Sequence, residues 1–361
     1  KNSIESHSRR IHFLLLTSVC QILYLNTPPY AAVNSAIELT KNDKKSSKLR
    51  GLVNAVLRRI SDDKDTILSQ IMNPLDLLPD WIRDRWKNFY TNDEIKTISD
   101  TLLSDPPLDI SLKDYSLEVI KDLNGSVLST GSIRLHDYSY IPNIKFYNEG
   151  LWWIQDVSAS IPIKLIEDNL KDKLFVDLCA APGGKTASLL SKGAIVVAVD
   201  KSAERLKILK ENLDRLKYKA KIVHADGTIW FPKEKVDGVL IDAPCSSTGV
   251  IRRNPDILRR KINNLEFFTH NQEKLLNNGI NMLKVGGILI YCTCSLEPEE
   301  GEDQINRILK ERTDIKLRKI ILEKLPEFKK SIRKEGFMRI LPGILPDGGN
   351  DGFFISILEK K

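Results

Sequence analysis

Five cysteines are spread over 361 residues, and three of them stand where a thiol can do chemistry. Cys292 and Cys294 lie one residue apart in YCTCSLEPEE, where an apolar run gives way to an acidic one. Cys245 follows Asp242 and Pro244 in VLIDAPCSSTG. A thiolate is the reactive nucleophile of a cysteine, and a nearby carboxylate can pass a proton or meet developing charge with a hydrogen bond. A lone cysteine at a strand end is more often a small buried apolar residue. Two brought to one crevice beside a carboxylate shift the reading towards covalent catalysis. Cys292 stands inside the apolar run itself.

The elements that must position these residues begin near residue 155. KLFVDLC, AIVVAVD, KIVHAD, VDGVLIDAP and GGILIYCTC are short, nearly continuous apolar runs alternating with helical patterns such as SAERLKILKENLDRL. That rhythm predicts a doubly wound, mostly parallel sheet with helices on both faces. Ligands of such sheets bind beyond the carboxyl ends of the strands. The fourth and fifth strands are usually neighbours, so Cys245 and Cys294 are expected to face one crevice.

The first strand end, DLCAAPGGKT, predicts a close backbone approach to a ligand at Gly183 and Gly184, with a helix N-terminus directly after. It is not a P-loop. Cys179 stands where the first glycine of that motif belongs, and Pro182 removes an N–H from the would-be phosphate cradle. Asp200 ends the second strand, where a carboxylate takes ribose hydroxyls, and Asp226 ends the third, where an acceptor meets an adenine amino group. Together they predict a site for an adenosine-containing ligand without a polyphosphate.

Beside such a site, a thiol and a carboxylate suit one reaction. C5 of cytosine is too electron-poor to attack a methyl donor directly. A thiolate adding to C6 turns the ring into an enamine with a nucleophilic C5. Asp242, protonated or as a hydrogen-bond partner, suits the charge that develops at N3. The C5 proton must then leave so that the thiol is eliminated. Spacing alone does not say which of Cys245 and Cys294 is the nucleophile. Methylation of an amine needs no thiol, and no N/D-P-P-Y stands at the fourth strand end.

Composition agrees with a globular protein: 42% hydrophobic, 29% charged, net charge +7. Residues 1 to 60 hold 10 Lys/Arg against 3 Asp/Glu, while the remainder is neutral, which suggests a polyanion contact through the N-terminal piece. The sparse, odd cysteine count predicts a reducing, cytoplasmic setting without disulfides. No metal-ligand spacing is present, and HFLLLTSVCQILYLN is too short and too polar to span a bilayer. The chain opens on Lys1 and reads as missing some N-terminal sequence. SSKLRGLVNAVLRRI has its apolar residues on one helical stripe, with Ser46 or Ser47 as the expected cap. The boundaries expected are an all-α domain over 1–75, a small helical and α+β connector over 76–150, and the sheet domain over 151–361. Arg252 and Arg253, after the Pro-Cys pair, are expected on RNA phosphates together with Arg259, Arg260 and Lys261. Trp152 and Trp153 are either base-stacking platforms or core.

DLCAAPGGKT, IDAPCSSTGVIRRNPDI and YCTCSLEPEEGEDQI resemble the signature motifs of the Nop/Sun family of RNA 5-cytosine methyltransferases. GLWWIQDVSAS and NDGFFISILEK match its flanking motifs. The helical part, with PPYAAVNSAIEL and KLRGLVNAVLRRI, is similar to the NusB-like domain of the family's bacterial small-subunit rRNA branch (RsmB, Sun or Fmu). The resemblance implies a Rossmann-like class I methyltransferase domain preceded by that NusB-like domain. It implies S-adenosylmethionine as cofactor, held by Cys179, Ala180, Ala181, Pro182, Gly183, Gly184, Lys185, Asp200, Asp226 and Asp242. It further implies Cys294 as nucleophile, Cys245 as the thiol that assists product release, Asp242 between cofactor and base, and Lys185 close to the base. The implied substrate is 16S rRNA or a small-subunit assembly intermediate, at cytosine 967, with the enzyme a monomer. The rival readings are a related methyltransferase for another RNA and a non-catalytic RNA-binding or antitermination factor; the latter has no need of Cys245, Cys294 or the acids at the strand ends.

Overall fold

A computed structural model of the chain describes residues 9–25, 27–42, 44–71, 73–103, 105–135, 138, 140–166, 169–260, 264–322 and 325–361. The chain forms two compact units, Lys1–Asn73 and Pro74–Lys361.

The first unit is helical, with helices at Arg9–Leu23, Pro29–Lys41, Lys44–Ser47, Arg50–Asp62 and Lys64–Ile71. Their apolar stripes close a core of Ile11, Leu15, Ile22, Val33, Ala36, Val53 and Leu57. The helix Arg50–Asp62 starts from Leu49 without a side-chain cap, because Ser46 and Ser47 belong to the preceding short helix. Packing of the buried stripe, not capping, therefore sets where that helix begins.

In the second unit, helices Asp80–Trp86 and Asn92–Asp100 lead into a small antiparallel sheet. Its strands are β1 (Leu108–Leu112), β2 (Ser126–Val127), β3 (Ile133–Leu135) and β4 (Trp152–Ile154), in the order β2-β3-β1-β4. Thr91 and Glu94 form a capping box at the start of Asn92–Asp100. The segment read as a connector thus lies within the same compact unit as the large sheet.

The large sheet contains β5 (Leu174–Leu178), β6 (Ile195–Asp200), β7 (Lys221–His224), β8 (Val236–Asp242), β9 (Leu283–Thr293), β10 (Ile315–Arg318), β11 (Met338–Ile340) and β12 (Phe353–Lys360). The order is β10-β12-β9-β8-β5-β6-β7, with β11 also paired to β12. β5 to β9 run parallel, and β10 to β12 close the other side antiparallel. Both faces are covered by apolar cores, one containing Val157, Ile161, Phe175, Leu189 and Leu240, the other Val176, Val199, Ile241, Leu276 and Ile280. That double burial is why these strands read as continuous apolar runs. β8 and β9 are neighbours with Asp242 opposite Cys292, so the loops that follow them emerge side by side.

Candidate active site

The chain leaves β5 through Cys179 at φ +64° and Gly183 at φ +103°, then enters the helix Gly184–Ser191. Asp177, fully buried at the end of β5, accepts a hydrogen bond from the Thr186 hydroxyl at 2.6 Å, while its Oδ1 has no partner. Burial, with smaller contributions from Asp242 and Asp200, pushes its pKa up to about 7. Cys179 is pushed up to about 12 by burial and by Asp200, and is a neutral thiol. Asp200 is buried and accepts from the backbone N–H of Ala181 at 3.1 Å and of Ser202 at 2.9 Å. Ser202, not Asp200, caps the next helix. Asp226 is exposed and accepts from Thr228, whose two hydrogen bonds hold its carboxyl below the usual range. A narrow cleft joins these residues, lined by Cys179, Asp200, Lys201, Asp226, Gly227 and Pro244.

On the other side of β5 stand the groups of β8 and β9. Lys185 Nζ donates to Asp242 Oδ2 at 2.7 Å and lies 4.9 Å from the centroid of the Phe353 ring. Burial works against the charged form of Lys185, but Asp242, together with smaller contributions from Cys292 and Cys294, raises the pKa overall, so the lysine is an ammonium. Cys245 Sγ and Cys294 Sγ are 3.5 Å apart, and Cys294 Sγ is 3.6 Å from Ser247 Oγ. The two thiols are not equivalent. The hydrogen bond from Cys245 lowers the pKa of Cys294 despite burial, whereas the same bond and burial hold Cys245 well above the ordinary thiol value. Cys294 is thus the easier thiolate of the two, and at 3.5 Å either sulfur can donate to the other. Gly249 permits this crowding: a Cβ there would strike the backbone carbonyls of Gly352 and Cys294. An open cleft beside Cys245 is lined by Ser246, Ser247, Asn254, Ile257 and Phe268.

Residues 165–359 match the family model described as 16S rRNA methyltransferase RsmB/F, and residues 1–62 match the NusB family. The chain is 34% identical to ribosomal RNA small subunit methyltransferase B of Pasteurella multocida, an alignment covering 99% of this chain and 82% of that one. It belongs to the RsmB/F methyltransferase family. The methyltransferase B of Proteus mirabilis is 32% identical, with 99% and 84% covered. Among solved structures, PH0851 shares the fold with a TM-score of 0.79 at 24% identity, over 98% of this chain and 83% of that one. A methyltransferase homolog from Pyrococcus horikoshii does so at 0.65 and 24% identity, over 81% of this chain and 99% of that one.

In this RsmB/F-family chain, Lys185, Asp242, Cys245 and Cys294 come together, and Cys179, Asp200 and Asp226 line the adjoining cleft. The basic pair does not behave as expected. The Arg252 side chain is 1% exposed: Nε donates to Asp351 at 2.6 Å and Nη2 to Asp156 at 2.7 Å, with a further bond to the Gly348 carbonyl. Arg253 donates to the same carboxylates at 2.8 and 3.0 Å. Two buried carboxylates, 96 and 99 positions away from Arg252 in the chain, have drawn these guanidiniums inward, so Arg252 is not a phosphate contact. Arg259 and Arg260 are exposed, the latter paired with Asp256; Lys261 lies outside the described residues. Trp152 and Trp153 are buried at 0% and 5% exposure, which leaves no face for a base. Two carboxylates escaped the sequence reading. Asp177 sits in an apolar strand, a signal that was available. Glu300, buried beside the thiols, sits in an acidic run where nothing local distinguishes it.

Proposed function

We propose that the protein transfers a methyl group from S-adenosylmethionine to C5 of a cytosine in small-subunit rRNA, with Cys294 as the nucleophile. The observation that carries this reading is the thiol pair at 3.5 Å beside the Asp242–Lys185 ion pair.

The residues of the cleft fit the cofactor. Asp200 accepts one backbone bond on each oxygen and retains lone pairs for two hydroxyls. Asp200 and Asp226 both line the cleft and place two carboxylates along it, while the partnerless Asp177 Oδ1 lies buried near the end of β5. When bound, S-adenosylmethionine supplies an electrophilic methyl group on a sulfonium. Cys294 Sγ adds to C6 of the base, and the displaced π electrons run through C5 and C4 to N3. The proton needed at N3 is managed by the Asp242–Lys185 pair. C5 then takes the methyl group, its own proton leaves to solvent, and the C6–S bond breaks as the C5–C6 double bond reforms. N3 returns its proton to the pair. Cys245 donates its S–H to the departing Cys294 sulfur and so stabilises the leaving thiolate.

The small-subunit rRNA methyltransferases to which the chain is similar support 16S rRNA, free or in an assembly intermediate, as substrate. Cytosine 967 is the proposed position. The NusB-like unit supports an RNA contact outside the catalytic cleft. Among the described residues no helix is long and apolar enough to cross a membrane, and a cytoplasmic monomer is proposed.

The test mixes Cys245→Ala protein with S-adenosylmethionine and 16S rRNA and resolves the products on a denaturing gel. A protein–RNA adduct that vanishes when Cys294→Ala is added supports the reading. Methylation that survives Cys294→Ala, without any adduct, overturns it.

A further inference from the structure

Glu300 ends the short turn Pro298–Glu300 after β9 and is fully buried. A buried carboxylate is costly, and this one is met only by neutral donors. It accepts from the Ser246 backbone N–H at 3.0 and 3.2 Å, from the Ser246 hydroxyl, and from Gln272 Nε2 at 3.0 Å. The same Gln272 amide donates to the Pro244 carbonyl at 2.9 Å. Ser246 Oγ is 3.1 Å from Ser295 Oγ, which in turn accepts from the Glu297 N–H at 2.9 Å. Ser246 follows Cys245 and Ser295 follows Cys294. One carboxylate therefore ties together the two loops that carry the two thiols.

A neutral amide would brace these loops at lower desolvation cost, so the charge itself calls for a reason. The charged groups facing the thiol pair are Asp242 and Lys185 on the side of Cys294 and Glu300 on the side of Cys245. After the hydrogen bond to Cys294 and burial, which come first, Glu300 adds to what keeps Cys245 protonated. The Ser247 hydroxyl and Lys185 already favour charge on Cys294, and Glu300 adds to that bias from the side of Cys245.

We propose that Glu300 is a positioning residue of the two-thiol site: it holds the Pro244–Ser247 loop so that Cys245 offers its S–H to Cys294, and thereby adds to the bias that makes Cys294 the nucleophile. The inference rests on the covalent reading above, but its test does not need methyl transfer.

Wild-type protein and the Glu300→Gln variant are treated with limiting iodoacetamide between pH 6 and 9, without RNA or cofactor, and alkylation at each cysteine is measured by peptide mass spectrometry. Wild type should react at Cys294 in preference to Cys245. In Glu300→Gln, which keeps the brace and removes the charge, the preference should fall by about tenfold or more as Cys245 loses its anionic neighbour. Ser246→Ala, which removes one hydroxyl and leaves the carboxylate, should give a smaller loss of the same kind and serves if Glu300→Gln does not fold. A purely structural role would lower the melting temperature without changing which thiol reacts. Unchanged selectivity in a folded Glu300→Gln, or in Ser246→Ala if only that variant folds, overturns the inference. If methylation itself is absent from wild type, the functional reading fails while the alkylation result still decides the role of Glu300.

Discussion

Replacing Arg252 by methionine separates a guanidinium held in the interior from one that waits for a phosphate. Methionine keeps most of the stem volume and removes the charge. In the folded protein Arg252 and Arg253 balance Asp156 and Asp351, and three of Arg252's nitrogens are bonded. Its loss leaves two buried carboxylates facing one guanidinium, and breaking a buried ion pair on one side costs about 3–5 kcal/mol. Arg253 is 27% exposed and remains in place, so the lower end, about 3 kcal/mol, is the expected loss. With a urea slope of about 3 kcal/mol/M the unfolding midpoint falls by about 1 M. The deficit should also depend on pH. Burial and the neighbouring Asp156 push the pKa of Asp351 up to about 6 against the two arginines, and removing Arg252 pushes it further. A carboxyl whose folded pKa lies above its unfolded value binds its proton more tightly in the folded state, so its contribution to stability is lost as pH rises through that interval. The variant should therefore be closer to wild type at pH 5 than at pH 8. A phosphate contact makes the opposite forecast: stability within about 0.5 kcal/mol of wild type, and a salt slope of RNA binding reduced by about 0.7. Superimposable urea curves together with that reduced slope would refute the interior assignment.

Two further outcomes follow from the same geometry. The folded pKa of Asp177, about 7, lies well above the unfolded value of about 3.9, so the cofactor-free protein should lose stability as pH rises between them, by up to about 4 kcal/mol; Asp177→Asn should flatten that dependence, and equal urea midpoints for wild type at pH 5 and pH 8 would count against it. Cys245→Ala removes the hydrogen bond that leads the lowering of the Cys294 pKa, so alkylation of Cys294 at pH 7 should slow while the rate at pH 10 changes little; an unchanged or faster rate at pH 7 would show that Cys245 does not stabilise the thiolate.

The large sheet was legible because a parallel sheet buried on both faces demands continuous apolar strands, and each of the five expected runs became one. The turns at their ends were legible too, since Gly183 at φ +103° occupies a conformation that few other residues adopt. Other readings failed where partners are remote. Arg252 and Arg253 look like a surface pair until Asp156 and Asp351 are brought to them. Trp152 and Trp153, read as either stacking platforms or core, become core only once β4 pairs with β1 and buries both. In LEPEEGED, Glu297 and Glu300 are buried while Glu299 stays partly exposed, a division made by Arg85, Trp86, Ser246 and Gln272.

By itself, then, the order of residues determined the strand–helix rhythm, the glycine turn, and the presence of two thiols and their carboxylates at strand ends, because these depend on local periodicity and on residue type. Which thiol carries the charge is a different kind of property. It depends on Cys245 standing 3.5 Å from Cys294, on Lys185 reaching Asp242, and on Glu300 lying buried behind Ser246. Proton affinities are set by burial and by charges a few ångströms away, and only the tertiary structure brings residues 185, 242, 245, 294 and 300 within that range.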